Sequence, residues 1–234
     1  MTPVAHWRGQ PLEAVFFDLD GTLLDTAADI ALALNRALAD HGWAPVEEGA
    51  VRNMIGRGAP MLIERAARAQ GRTADDATQA ALVEGFFRHY GGLQERDEYA
   101  AQPYPGASAA LQQIHASGLR TAVVTNKQQR FANGLLQRLG LARWVDLVVG
   151  GDTCERRKPD PQPLIFSCDS LGVAPSGTLM VGDSTNDVQA ARAAGMAVVC
   201  VSYGYNEGND PRLLPCDAVL DTLADLPSLL LRQA

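Results

Sequence analysis

Two carboxylates, Asp18 and Asp20, stand where the apolar opening of AVFFDLDGTLLDT (residues 14–26) gives way to Gly21 and Thr22. Later stretches end in the same manner. TAVVTNK closes on Thr125, Asn126 and Lys127, LMVGDSTND on Asp183 with Asp187 one turn further, and RRKPDP places Lys158 just ahead of a helix. Carboxylates packed together repel one another and raise each other's pKa, so such a set calls for a divalent cation. Mg2+ suits it, because it favours oxygen ligands and commonly takes one or two carboxylates alongside water and substrate phosphate. A phosphoryl group fits the remaining space. An Asp carboxylate can attack phosphorus to give an aspartyl phosphate, with the equatorial charge balanced by the metal, Lys158, the Thr125 hydroxyl and nearby backbone N–H groups. An acid two residues along a strand projects to the same side, so Asp20 could protonate the leaving oxygen and later take a proton from water. Gly21, Thr22 and Asn126 join the set as substrate-binding candidates.

These residues need elements that bring them to one edge. From Pro105 onward the chain repeats a helical segment, a Gly and a short β-rich run: GASAALQQIHASG before LRTAVVT, QQRFANGLLQRLG before DLVVGG, PLIFSCDSLG before TLMVGD, STNDVQAARAAG before MAVVCVSY. Gly118, Gly140, Gly172 and Gly195 sit where a left-handed residue closes a helix. The runs are near-continuously apolar, as expected of parallel strands covered on both faces. The fold class is α/β, with an open, doubly wound parallel sheet, a Rossmann-like core. Ligands of such sheets bind outside the carboxyl ends of the strands, where the polar residues fall.

The first strand is separated from the others by a helical insertion. In TAADIALALNRALADHG, residues Ala27, Ile30, Ala31, Leu34 and Leu38 share one helical face, with Thr26 and Asp29 resembling a capping box and Gly42 as the stop. Helices are expected around 47–54, 59–70 and 75–90, with no strand-like run until after QPYPG, whose prolines suit a hinge. The division is a core of residues 1–25 and 101–234 with an all-helical cap over 26–100.

Composition bounds the alternatives. The chain has 234 residues, 47% hydrophobic and 20% charged, which is ordinary for a globular protein and unlike a disordered, fibrous or disulfide-scaffold chain. The opening MTPVAHWRGQPLEA has no apolar signal-like region, and no run reaches the roughly 20 apolar residues needed to span a bilayer. Cytoplasmic localisation is therefore expected. Cys154, Cys168, Cys200 and Cys216 show no metal or redox spacing and read as reduced thiols. A net charge of -7 speaks against nucleic-acid and anionic-membrane partners. Lysine occurs only at 127 and 158, all other basic residues being Arg. A compact ammonium suits a tight site; the alternative is two exposed lysines that merely remain.

DLDGTLLDT, VVTNK, KPDP and GDSTND, in that order, resemble the four motifs of the haloacid dehalogenase-like superfamily, and the helical insert matches the cap that follows the first motif in one subclass. The resemblance covers nearly the whole chain. It implies Asp18 as nucleophile and metal ligand, Asp20 as general acid/base with a backbone carbonyl on the metal, Thr125 and Lys158 as stabilisers of phosphate and intermediate, and Asp183 as metal ligand. Asp187 would assist at the metal. Dehalogenases lack the second acid of the first motif, so Asp20 points to phosphoryl chemistry. Within the superfamily the chain is most similar to bacterial phosphoglycolate phosphatases, through GRGAPMLIERA and through VSYGYNEG followed by CDAVLDTLADLP. Arg57 stands where that family commonly has Asn. It either closes over the site to pair with a substrate carboxylate, a task suited to its fork, or is a solvated cap arginine.

The expected partner is a small phosphorylated metabolite, 2-phosphoglycolate by resemblance, acted on by a monomer or homodimer with Mg2+. A sugar-phosphate mutase of the β-phosphoglucomutase kind shares the motifs and the cap. A phosphate-receiving signalling domain gathers similar residues but lacks the insert. Lys127 is expected at the phosphate pocket or in a positioning or surface role. Asp25 and Asp29 are expected to favour the cap helix N-terminus electrostatically. His6 falls in an expected loose N-terminus, and Trp43, Trp144, Phe86 and Phe87 read as packing residues.

Overall fold

A computed structural model describes residues 5–230 of the chain. Six parallel strands form its central sheet: β1 (Ala14–Phe17), β2 (Arg120–Val124), β3 (Leu147–Val149), β4 (Thr178–Gly182), β5 (Ala197–Val201) and β6 (Ala218–Leu220), in the order β6-β5-β4-β1-β2-β3. The chain builds outward from β1 to one side, then crosses over to build the other, which makes the end of β1 the switch point where such sheets bind ligands.

The period-2 pleat divides each strand between two apolar layers. Val15, Phe17, Val123, Leu179 and Val181 face one layer, where α5 (Ala107–Ala116), α6 (Gln129–Arg138) and α9 (Leu226–Leu230) contribute Leu111, Leu135 and Leu226. Ala14, Phe16, Ala122, Val124 and Met180 face the other, with Leu164 of α7 (Gln162–Leu171) and Val188 of α8 (Thr185–Ala193). Both faces are thus covered, so the strand sequences read as continuously apolar. Gly118, Gly140, Gly172 and Gly195 all have positive φ, the backbone that L side chains resist.

Between β1 and β2 lie α1 (Ala27–Asp40), α2 (Glu48–Arg52), α3 (Ala59–Ala69) and α4 (Asp76–Glu95), referred to below as the cap. α4 packs along α1 and α3, and its ring of Tyr90 meets core Phe131 of α6 at 5.0 Å between centroids. Where the chain enters and leaves the cap, Leu24–Asp25 pairs antiparallel with Gln102–Pro103, so the segment read as a proline hinge is also a strand. Asp29 adds to this junction by accepting the N–H groups of Ala100 at 2.7 Å and Ala101 at 2.9 Å.

Several expectations change. Thr26 and Asp29 form no capping box: Thr26 Oγ1 donates to Asp20 instead, Asp29 is used across the junction, and the backbone N–H groups of Thr26 and Ala27 donate to the Tyr205 hydroxyl. Among the described residues a capping box is formed instead by Ser184 with Asp187, at α8. His6 is not in a loose segment, since His6–Trp7 pairs with Gln10–Pro11. β6 was not foreseen as a strand; it is a half-exposed edge strand of three residues. Among the described residues, no helix is long and apolar enough to cross a membrane.

Candidate active site

The loops after β1, β2 and β3, with Arg157 from the segment leading into α7, line one cavity beneath the cap, and the loop after β4 brings Asp183 and Asp187 up beside Asp18. The cavity's core wall includes Asp18, Asp20, Thr125, Asn126 and Lys127, and its cap wall includes Ile30, Ile55, Leu62, Phe86, Phe87 and Tyr90. Phe86 and Phe87, read from sequence as packing residues, therefore also face the ligand space.

Lys158 is buried at 2% exposure, its Nζ 3.0 Å from Asp18 Oδ1 and 2.6 Å from Asp187 Oδ1. Burial alone would lower its pKa; Asp18 and Asp187 outweigh burial and hold the ammonium above the usual lysine range. Burial pushes the Asp18 carboxyl up to about 7 against the pull of Lys158, with Asp187 and Asp20 adding to the rise. Asp183 is driven well above the ordinary range by burial, then by Asp187 and Asp18. Three buried acids thus face one ammonium, and Asp18 Oδ1 receives no hydrogen bond of good geometry.

Carboxylate oxygens of Asp18, Asp183 and Asp187 lie within 4.8 Å of one another. This oxygen-only, surplus-negative set fits a small divalent cation such as Mg2+. The three acids differ in freedom. Asp183 Oδ1 accepts from Thr22 Oγ1 at 2.8 Å and its Oδ2 from Tyr205 N–H at 2.5 Å. Asp187 Oδ2 closes the α8 capping box, accepting from Ser184 Oγ at 2.7 Å, while its Oδ1 holds Lys158. Its nearer tasks are therefore to start α8 and to aim Lys158. The Asp20 carboxylate is outside this group.

Asp20 belongs to a second pair. Lys127 Nζ lies 3.0 and 3.1 Å from its two oxygens, and Thr26 Oγ1 donates to Oδ1 at 2.7 Å. The ammonium also sits 4.5 Å from the centre of the Tyr90 ring. The Lys127 side chain is only 8% exposed, so a surface role is ruled out. Its signals in the sequence are its place at the polar end of TAVVTNK and the near absence of lysine elsewhere.

Thr125 and Asn126 line the cavity as expected. Thr125 Oγ1 accepts from Lys127 N–H at 3.2 Å. Asn126 Nδ2 donates to two carbonyls, Gly56 in the cap loop at 2.8 Å and Lys158 at 2.9 Å. Gly21 and Thr22, expected at the substrate, stand behind Asp183 instead. Gly21 N–H is taken by Leu24 O, and a Cβ on Gly21 would lie 2.4 Å from Asp183 Oδ2, so its glycine identity admits the Asp183 carboxylate. Thr22 is fully buried on Asp183. Arg57 turns out of the cavity: its Nε is 3.3 Å from Glu207, which also holds Arg65 at 2.6 Å. The arginine on the cavity wall is Arg157, which nothing in the sequence marks apart from its place beside Lys158.

Residues 15–201 match the family described as haloacid dehalogenase-like hydrolase. A phosphoglycolate phosphatase of Nitrosospira multiformis is 40% identical over 221 residues, 94% of this chain and 96% of that protein. One of Rhodospirillum rubrum is 46% identical, covering 92% of this chain and 89% of the relative. The crystal structure of a predicted phosphoglycolate phosphatase from Haemophilus somnus superposes with a TM-score of 0.86 at 32% identity, covering 93% of this chain and 97% of the other.

Proposed function

This chain belongs to the haloacid dehalogenase-like hydrolases, and from that premise we propose that it is a Mg2+-dependent phosphomonoesterase acting through an aspartyl phosphate on Asp18, with 2-phosphoglycolate as substrate. The observation that carries the reading is the cavity floor, where Asp18 ends β1 with Lys158 3.0 Å away and a second acid two residues on. The names of the relatives support the choice of substrate.

The cation would be held by Asp18 and Asp183, with Asp187 behind them. When bound, Mg2+ supplies positive charge that keeps these acids ionised and offsets charge on the phosphoryl oxygens. An Asp18 oxygen attacks phosphorus and the ester oxygen leaves. Asp20 gives that oxygen its proton, then takes one from the water that attacks the aspartyl phosphate, releasing phosphate and regenerating Asp18. Lys158 balances phosphoryl charge beside Asp18, and the Thr125 hydroxyl is placed to donate to a phosphoryl oxygen. The cap holds bulk water away while the ester is cleaved, and its opening would release product.

The test is phosphate release with Mg2+ across 2-phosphoglycolate, sugar phosphates, nucleotides and pyrophosphate, for the natural chain and Asp18→Asn. Preferred release from 2-phosphoglycolate, reduced at least about a thousandfold in the variant, is expected. Equal release from both chains would overturn the assignment of Asp18. An isomerised sugar phosphate without free phosphate would instead identify a mutase.

A further inference from the structure

Among the described residues, the cations around the cavity are already engaged, with one exception. Lys158 lies between Asp18 and Asp187, Lys127 on Asp20, and Arg57 on Glu207 outside. Arg157 lines the cavity with no carboxylate within ion-pair distance, unlike its neighbour Arg156, which is paired with Asp160. Its Nη1 lies against the cap loop at Gly58, where a Cβ would come within 2.6 Å. Gly58 has φ 79, a conformation that favours glycine, and its missing side chain leaves room for the guanidinium. The core's arginine is thereby set at the seam between core and cap.

The cap side chains that line the cavity carry no charge: Ile30, Ile55, Ala59, Leu62, Phe86 and Tyr90 are among them. Of the acids on the core wall, Asp18 and Asp20 have lysine partners, and Asp152 accepts the Gln129 N–H at 2.7 Å. Arg157 is exposed at the edge of the cavity, so its unpaired guanidinium is open to an anion that arrives with the ligand.

We propose that Arg157 is the specificity-determining residue of this site, recognising a carboxylate carried on the same small molecule as the phosphoryl group. The inference rests on the phosphomonoesterase reading and adds the second anchor of the substrate. Arg157 and Lys158 are consecutive, their Cα atoms about 3.8 Å apart. One ammonium reaches down to Asp18 while the adjacent fork reaches the cap seam, an arrangement matched to a compact ligand with two anionic ends. The planar fork can hold a carboxylate through two parallel hydrogen bonds, which a lysine cannot. The task that the sequence suggested for Arg57 thus falls to a core residue.

The experiment compares 2-phosphoglycolate with 2-hydroxyethyl phosphate, which replaces the carboxylate by a neutral alcohol, in the natural chain, Arg157→Gln and Arg157→Lys. Loss of a charge-assisted pair is expected to raise KM for 2-phosphoglycolate by about tenfold or more in Arg157→Gln. The effect on kcat should be much smaller, the loss on the neutral ester at least fivefold less (about 1 kcal/mol less), and Arg157→Lys intermediate. Calorimetric binding of 2-phosphoglycolate to Asp18→Asn, with and without Arg157→Gln, reads the same contact without turnover. Equal losses on both esters, or unchanged KM and affinity, would overturn the role of Arg157 while leaving the phosphatase intact. Binding that depends on Arg157 without any phosphate release would overturn the phosphatase reading and keep the anion site.

Discussion

At and behind the floor of the cavity, Asp18, Asp183, Asp187 and Lys158 are buried and interlocked: Lys158 joins Asp18 to Asp187, and Asp183 is held by Thr22 and the Tyr205 N–H. The cap wall above them offers Ile30, Ile55, Leu62, Phe86, Phe87 and Tyr90. The contrast assigns the labour. Charges that must hold a fixed geometry through bond making belong on strand ends, where the sheet and its loops immobilise them. If the cap opens to release product as proposed, its wall is better made of side chains whose fit does not depend on matched hydrogen bonds. The same logic explains why the anchor for a substrate carboxylate would be Arg157 on the core rather than Arg57 on the cap: a recognition charge on the moving part must be paired somewhere when the site opens, and Arg57 is already paired with Glu207.

The two lysines give the comparison its severest test. Lys158→Met removes the cation between Asp18 and Asp187 and leaves buried carboxylates facing each other, a loss expected to cost about 3–5 kcal/mol in urea unfolding of the metal-free chain. Lys127→Met should cost clearly less, because Asp20 keeps Thr26 Oγ1 and a side chain 12% exposed. Equal costs would mean that the floor is no more interlocked than the pair beneath the cap.

How much of this arrangement was legible depended on the range of the contact. Five of the six strands announced themselves as apolar runs, because burial on both sheet faces is written into consecutive residues. β6 escaped notice because an edge strand of three half-exposed residues leaves little such trace. Asp18, Asp20, Thr125 and Asp183 could be picked out because strand ends are where sheets of this kind place ligands, and Lys158 because lysine is so scarce in this chain. Partner choice was not legible. Thr26 could have capped its own helix, yet Asp20 takes its hydroxyl, and Asp29 binds the backbone of Ala100 and Ala101, 71 and 72 positions away. Local pattern cannot see such competitors. Arg57 and Arg157 illustrate the same limit: each adjoins a glycine or a motif, and only the folded chain shows which one Glu207 removes from the cavity.

The floor should also respond to pH and metal in a way that the cap wall cannot. Burial raises Asp18 to about 7 and Asp183 well above its ordinary range, so the metal-free folded chain retains protons that the unfolded chain releases above about pH 4. These two groups therefore favour the fold fully below the unfolded-state pKa, and the contribution from Asp18 is lost as pH rises towards about 7. Mg2+ requires the ionised carboxylates and competes with those protons. Thermal melts in chelator and in Mg2+ should show a metal-induced rise in Tm that is larger at pH 8 than at pH 5. A rise independent of pH would show that the acids are already ionised without the metal.

The smallest expected effect falls on the cap wall. Tyr90 is 1% exposed, its hydroxyl has no hydrogen-bond partner among the described residues, and its ring stacks on Phe86 and meets Phe131 edge to face, with Lys127 over its face. Tyr90→Phe keeps the ring, the packing and the cation–π contact while removing a buried polar atom without a partner. Unfolding free energy should stay the same or rise by about 1 kcal/mol, and kcat/KM should stay within about twofold, a span of only ~0.4 kcal/mol. The informative failure is a tenfold fall in kcat/KM at unchanged stability. That result would mean the Tyr90 hydroxyl is donated to the ligand, so that the cap supplies a directional contact of its own and selection is shared between the two walls.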